Sequence, residues 1–296
     1  MNNLILETKD LTKKYGQVTA VDHVNLKLCQ NKIYGLLGRN GAGKTTFLNL
    51  ITSRIFAESG EASLFGKPVT ENAETLEKIC YMPEKNLFLN RVKVRDTLRG
   101  AEIFFKNYDP AYARALCEKF ELNPDKKYNE LSRGYESILR IVIGLASRSE
   151  LTIFDEPVLG LDAAVRDIFY RELIEDFTEH PRTIIISTHL IEESADIFDE
   201  AVIIQKGKLI EQAPVEALKE RAHYISGKSD LVDRAAAGLN RIHTEEIAGV
   251  KICAVYQEID SRKALEITQA GLELSPIPVQ KLFIYLTDHN GREAKS

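Results

Sequence analysis

Apolar positions along the chain fall into short runs separated by polar segments. Residues 4–8 and 18–28 alternate apolar and polar as half-buried strands do, with a turn near Tyr15-Gly16. Residues 33–37 form a short apolar run that ends at Gly38, the pattern of a strand buried on both faces. A Gly-rich loop follows, and then a helix from Lys44 to about Ser53. Residues 62–70 predict an edge hairpin turning at Gly66-Lys67-Pro68. Between 85 and 150 the spacing becomes helical and predicts helices over 94–107, 110–121 and 134–147, with Asp109-Pro110 and Asn123-Pro124 as breaks. Strand patterns return at 151–154, 183–187 and 201–205, with helical stretches at 163–178 and 190–197. Strand alternating with helix implies an α/β domain with a mostly parallel sheet. After Lys208 the pattern changes again: strand 222–226, helix 228–239, a hairpin over 241–257 about Ala248-Gly249, helix 260–270, strand 272–275 and a last helix over 278–287. Two domains are expected, 1–211 with a helical subdomain at about 85–150, and a small α+β domain at 212–296.

Length agrees with this division, since 296 residues make about two domains of roughly 150 each. Apolar residues at 44% and charged residues at 28% are ordinary for globular chains, which disfavours disordered and fibrous classes. The net charge of −5 gives no general attraction to nucleic acid. Cys29, Cys80, Cys117 and Cys253 are widely spaced, which excludes the usual zinc spacings and argues for buried thiols in a reducing compartment. His223, His243 and His289 are scattered without metal spacing. The start, Met1-Asn2-Asn3-Leu4, lacks the basic and apolar regions of a secretory leader, and no apolar run reaches the roughly 18 residues that cross a bilayer.

The chemistry is concentrated in two places. Gly38-Arg39-Asn40-Gly41-Ala42-Gly43-Lys44-Thr45, followed by Thr46, matches the G-x-x-x-x-G-K-[ST] phosphate loop between an apolar strand and a helix. Its glycines let backbone N–H groups face a phosphate, and the helix N-terminus adds positive charge beside it. Lys44 is placed to reach the β- and γ-phosphates, and the Thr45 hydroxyl to hold magnesium. The second place is Asp155-Glu156, where an apolar strand delivers two carboxylates to the edge at which open α/β sheets bind ligands. Asp155 suits the magnesium shell. Glu156 suits the general base that activates water, a role worth on the order of 10²–10⁴ in rate.

The remaining motifs make the chain resemble an ATP-binding-cassette (ABC) ATPase over about residues 4–210. Leu131-Ser132-Arg133-Gly134-Tyr135 resembles the family signature Leu-Ser-Gly-Gly-Gln. Glu156-Pro157-Val158-Leu159-Gly160-Leu161-Asp162 resembles the stretch from the catalytic acid to the D-loop. Ser187-Thr188-His189 resembles the switch histidine, and Tyr15 stands where the family stacks an aromatic ring on adenine. The resemblance implies a P-loop core with an antiparallel β subdomain and a helical subdomain. It also implies two cassettes closing head to tail on two ATP molecules with Mg2+. Ser132, Arg133, Gly134, Tyr135 and Asp162 would then face the ATP of the partner subunit, and His189 would hold the γ-phosphate and align water with Glu156.

Three departures stand out. Glu84 occupies the Q-loop position, where the family has glutamine. It offers a further magnesium ligand but adds negative charge near Glu156. Arg133 replaces a signature glycine and Tyr135 the signature glutamine. Val158 replaces a threonine of similar shape.

One cassette without a membrane span implies the ATP-hydrolysing subunit of a transporter, resembling bacterial drug and peptide exporters. It would sit on the cytoplasmic face of the membrane against a separate multi-spanning transmembrane subunit, with a homodimer favoured over a mixed pair and no nucleic acid as partner. Phe88, Leu89, Val92, Ile103, Phe104 and Phe105 supply apolar surface near Glu84 for a short helix of that partner. The domain at 212–296 would serve dimerisation or regulation. Two alternatives stay open from sequence: a soluble ABC ATPase acting on nucleic acid or ribosomes, and an ATP-dependent clamp or sensor with little hydrolysis.

Overall fold

The computed structural model describes residues 4–85 and 88–289. Met1–Asn3, part of the start that reads as lacking a secretory leader, and the side chain of His289 lie outside these. The chain forms two compact units, Met1–Leu190 with Ile197–Gln212, and Ile191–Asp196 with Ala213–Ser296.

The first unit begins with an antiparallel arm. β1 (Leu4–Tyr15) and β2 (Val18–Cys29) pair from Leu4↔Cys29 to Tyr15↔Val18. β1 continues well past residue 8, where alternation stops at Lys9-Asp10. The break is absorbed as a bulge: Asp10 has φ +47°, and the Asn25 side-chain oxygen accepts its N–H at 2.9 Å. β3 (Ile33–Leu37) is buried at all five positions and leads through the phosphate loop into α1 (Lys44–Ile51). β4 (Ser59–Leu64) and β5 (Lys67–Pro68) extend the arm in the order β2-β1-β4-β5. Their turn is Phe65-Gly66, one residue earlier than expected. Both residues have positive φ, 51° and 74°, as a two-residue hairpin with the right twist requires.

α2 (Ala73–Leu76) and β6 (Ile79–Met82), neither of which the hydrophobic pattern separates, precede three helices: α3 (Val94–Phe104), α4 (Pro110–Lys119) and α5 (Arg133–Ser147). α4 starts where the sequence places it, because the Asp109 carboxylate accepts the Ala111 and Tyr112 N–H groups and Pro110 takes the first helical position. α5 packs on β7 (Leu151–Asp155), which is wholly buried. The contact is close at Gly144: a Cβ there would lie 2.3 Å from the Phe154 ring. α6 (Ala163–Glu179), β8 (Thr183–Thr188), β9 (Glu200–Gln205) and β10 (Lys208–Pro214) complete the unit. The second sheet runs β10-β9-β3-β8-β7-β6, and its pairs from β9 through to β6 are parallel.

Residues 190–197 do not form the expected helix. The Thr188 hydroxyl takes the Leu190 N–H at 3.0 Å, and only a short turn and a 3-10 segment at Ala195–Ile197 follow. So short a stretch does not offset the cost of helix nucleation. Its apolar residues are buried singly instead. Just beyond it, Phe198 presses its ring on Gly35, where a Cβ would lie 2.5 Å away.

The second unit contains α7 (Val215–Arg221), β11 (Ala222–Gly227), α8 (Ser229–Ala235), β12 (Arg241–Ile247), β13 (Val250–Tyr256), α9 (Ser261–Gln269), β14 (Glu273–Pro276) and α10 (Val279–His289). Its antiparallel sheet has the order β12-β13-β11-β14. Together with the β-α-β-β-α-β succession from β11 to β14, this is the ferredoxin-like arrangement. Ile225, Cys253 and Val255 of the sheet pack with Val232 and Ala236 after α8 begins and with Ile267 of α9. α10 meets the sheet through Tyr285, whose ring stacks on His243 at 4.3 Å and whose hydroxyl lies 3.1 Å from the Tyr224 hydroxyl.

Candidate functional site

The carboxyl ends of β3, β7, β8 and β9 deliver a loop each to one edge of the parallel sheet, the edge where such sheets bind ligands. A cleft of about 700 Å³ opens there. It is lined by Arg39–Thr46, Glu84, Arg133, Glu156, Leu159, His189, Lys206 and the β2 residues Val18, Thr19 and Ala20. The phosphate loop keeps its shape through Gly43, which has φ +107° and whose backbone lies so near β2 that a Cβ would stand 2.2 Å from the Ala20 carbonyl oxygen. Gly38 is backed in the same way by the Ile204 carbonyl, 2.7 Å from a Cβ built there.

The charged groups are paired beneath this loop. Lys44 and Glu156, each 6% exposed, form an ion pair with Nζ 3.4 Å from Oε1. Lys44 also donates to the Gly38 carbonyl at 2.7 Å. The other Glu156 oxygen, Oε2, lies 2.9 Å from Nδ1 of His189, and the Glu156 N–H donates to Ser187 O at 2.8 Å. Glu156 itself has φ +51°, a conformation glutamate seldom adopts, so the backbone turns sharply to present its carboxylate to the cleft. Asp155 is 1% exposed, and its Oδ2 accepts the Thr45 hydroxyl at 2.8 Å. Burial pushes its carboxyl pKa above the usual range, with the Thr45 hydrogen bond opposing. Its Oδ1 is buried without a hydrogen-bond partner. A buried carboxylate oxygen left over beside a threonine hydroxyl is a donor set suited to a hard divalent cation.

Of the residues expected from the sequence, the cleft therefore gathers Arg39, Asn40, Gly41, Ala42, Gly43, Lys44, Thr45, Thr46, Glu84, Arg133, Glu156 and His189, with Gly38 and Asp155 directly behind it. Glu84 and Arg133, two of the departures from the family pattern, face each other with Oε1 and Nη2 3.4 Å apart. Arg133 thus turns into its own chain's cleft. Ser132, Gly134, Tyr135 and Asp162 lie outside the cleft lining, and two of them cap helices. Ser132 Oγ accepts the Tyr135 N–H at 3.4 Å at the start of α5, and Asp162 Oδ1 accepts the Val165 N–H at 3.0 Å at the start of α6. Tyr15 is also outside the lining, 52% exposed, with Lys13 Nζ 5.5 Å from its ring centre. Sequence reasoning missed Val18, Thr19, Ala20 and Lys206, and it quoted Leu159 in a motif without placing it in the site. Lys206 carries a signal in hindsight: a cation before Gly207 at the end of a strand, held at φ +48°.

A second concavity of about 780 Å³ lies against the edge strand β6. Tyr81, Met82, Phe88, Leu89, Val92, Phe104 and Phe105 supply its apolar wall, and Leu89 and Phe104 are mostly exposed. Ile103, which the sequence grouped with these, is 86% exposed and does not line it. Among the described residues no helix is long and apolar enough to cross a membrane.

The model of the family described as ABC transporter matches residues 21–159. The bacitracin transport ATP-binding protein BcrA of Bacillus licheniformis is 33% identical, over 94% of this chain and 94% of its own. The ABC transporter ATP-binding protein YtrB of Bacillus subtilis (strain 168) is 29% identical, over 95% of this chain and 97% of its own. Among solved structures, an ATP-binding subunit of an ABC transporter superposes with a TM-score of 0.66 at 24% identity, over 73% of this chain and 92% of that one, which establishes the same cassette fold.

Proposed function

The chain belongs to the ABC transporter family of ATP-binding proteins, and from that membership we propose a specific working arrangement for it. It is the ATP-hydrolysing subunit of an exporter, held on the cytoplasmic face of the membrane by a separate multi-spanning subunit. It acts as a homodimer closed on two ATP molecules. The observation that supports this best is the convergence of the phosphate loop, the Thr45–Asp155 pair and the Glu156–His189 pair on one cleft.

In this reading, the phosphates of ATP enter the loop at residues 38–46 and take Lys44 away from Glu156. The freed Glu156 carboxylate then accepts a proton from water as the water oxygen bonds to the γ-phosphorus and the bond to the β–γ bridging oxygen breaks, releasing ADP and phosphate. His189 fixes the orientation of that carboxylate through Nδ1, and it donates Nε2–H to a phosphate oxygen when the ring carries both protons. Thr45 and the unpartnered Oδ1 of Asp155 would hold magnesium, with Glu84, which Arg133 faces at 3.4 Å, as a further oxygen ligand; the metal would supply charge neutralisation to the phosphates. Tyr15, exposed at the end of β1, stacks on adenine. Ser132, Gly134, Tyr135 and Asp162 meet the ATP of the partner subunit at the N-terminal ends of α5 and α6, where helix dipoles favour an anion. The apolar concavity beside β6 receives a short helix of the transmembrane subunit. The ferredoxin-like unit serves dimerisation or regulation.

The test is isolation of the tagged chain from gently solubilised native membranes. A multi-spanning polypeptide in equal amount, with magnesium-dependent ATP hydrolysis that Glu156→Gln abolishes, is the expected result. Recovery without such a partner would overturn the transporter assignment, and hydrolysis unaffected by Glu156→Gln would overturn the catalytic one.

A further inference from the structure

A buried cation ties together the segments that form the cleft. Arg140, two turns into α5, is 5% exposed, a degree of burial that arginine rarely has. Its Nη1 donates to the backbone carbonyl of Glu84. Its Nη2 donates to the Ser137 hydroxyl at 2.8 Å, and that hydroxyl donates in turn to the Leu159 carbonyl at 3.0 Å. Ser137 is fully buried. The Leu159 N–H then returns to the Glu156 carbonyl at 3.3 Å. One hydrogen-bonded path therefore joins the Glu84 loop, the α5 helix and the loop carrying the catalytic carboxylate. Glu84, Leu159 and Glu156 all line the nucleotide cleft.

The chemistry suits a rigid tie. Taking a guanidinium out of water costs several kcal/mol unless its donors are well used. Its planar fork fixes the spacing of the two acceptors it serves, which a flexible ammonium does not. The serine hydroxyl both accepts and donates, so it extends the tie across α5 without a further charge. Glu156 needs such support, because its carboxylate hangs on a residue at φ +51°. The conformation must be held by its surroundings.

We propose that Arg140, acting through Ser137 and Leu159, is a positioning residue that holds the Glu156 loop in register with the Glu84 loop across the nucleotide cleft. This rests on the ATPase reading above. The test is steady-state ATP hydrolysis by the purified full chain carrying Ser137→Ala, Arg140→Lys or both, with ATP affinity and melting temperature measured alongside. Wild-type hydrolysis that Glu156→Gln abolishes is the control: its absence would defeat the ATPase reading itself, not the tie. Ser137→Ala removes one buried oxygen and changes volume least, so it keeps the test alive if Arg140→Lys fails to fold. The expected result is a fall of about tenfold in kcat for Ser137→Ala, with KM for ATP within about twofold, as misplacement of a catalytic group produces. The double variant should lose no more than the worse single one, because both cut the same path. A folded Ser137→Ala protein with kcat within about twofold of wild type, or losses that multiply in the double variant, would overturn the proposal.

Discussion

The Lys44–Glu156 ion pair holds the lysine proposed to bind phosphate against the carboxylate proposed as base. On that proposal, nucleotide breaks this contact as it binds. At the observed 3.4 Å, two unit charges attract by about 5 kcal/mol at an effective dielectric constant near 20. Most of that is recovered when phosphate oxygens replace the carboxylate as the lysine's partner. The part not recovered is the cost of leaving a 6% exposed carboxylate unpaired beside new negative charge. We expect about 1–2 kcal/mol to remain, a factor of roughly 5–30 in affinity. Glu156→Gln removes this competition while the amide still accepts a hydrogen bond from His189. ADP is the right ligand for the measurement: it occupies the loop through its β-phosphate but lacks the γ-phosphate around which two cassettes close, so dimerisation does not enter. Calorimetric titration should therefore give a dissociation constant for ADP roughly 5–30-fold lower in Glu156→Gln than in wild type, while ATP hydrolysis falls by about 10²–10⁴. ADP affinity that is unchanged or weaker in the variant would refute the argument. It would mean that the carboxylate does not compete with phosphate for Lys44.

Two further expectations follow from the same cleft. Burial holds the Asp155 carboxyl above its ordinary pKa. In the metal-free chain this group contributes full stability only at low pH, and the contribution is lost as pH rises through its raised folded value. Asp155→Asn should raise the melting temperature of the metal-free protein at neutral pH by about 2–4 °C and make ATP affinity independent of magnesium, as differential scanning calorimetry and titration would record; a lower melting temperature would count against it. Gly43→Ala places a methyl group 2.2 Å from the Ala20 carbonyl at φ +107°, so it should abolish measurable nucleotide binding in a protein that remains folded by circular dichroism.

The sequence was most legible where one signal decided the outcome alone. Residues 33–37 and 151–154 are mainly apolar runs and become the two strands that lead into the phosphate loop and the acid pair. It was less legible where tertiary contacts decide. β6 has only Ile79-Cys80-Tyr81-Met82 to announce it and takes its strand character from pairing with β7. β1 crosses a bulge at which the Asn25 side chain accepts the Asp10 N–H and the Thr12 hydroxyl donates to the Asp10 carbonyl. The helix expected at 190–197 had suitable apolar spacing but yields to a hydroxyl cap at Thr188 and to separate burial of its apolar residues. In the cleft, the charged residues within a motif, Lys44, Glu156 and His189, were named from sequence, whereas Lys206, which lies in none, was not. Those that contribute a surface or a buried hydroxyl, such as Ala20 and Ser137, carry no motif. They become visible only when the strands that bring them together are in place.

The contact between Gly144 and Phe154 also bears on how this chain can drift through evolution. A glycine inside a helix is destabilising by about 0.5–1 kcal/mol relative to alanine, so neutral change should tend to replace it. Here the ring of Phe154 occupies the space of the missing methyl group, with 2.3 Å between them if it were present. Alanine at 144 is therefore excluded for as long as 154 stays aromatic, and a smaller residue at 154 leaves a void until 144 grows. The two positions can change only as a pair, and neither intermediate is comfortable. Since α5 also carries the signature segment and β7 the acid pair, such lineages should retain this small notch long after the surrounding surface has been rewritten.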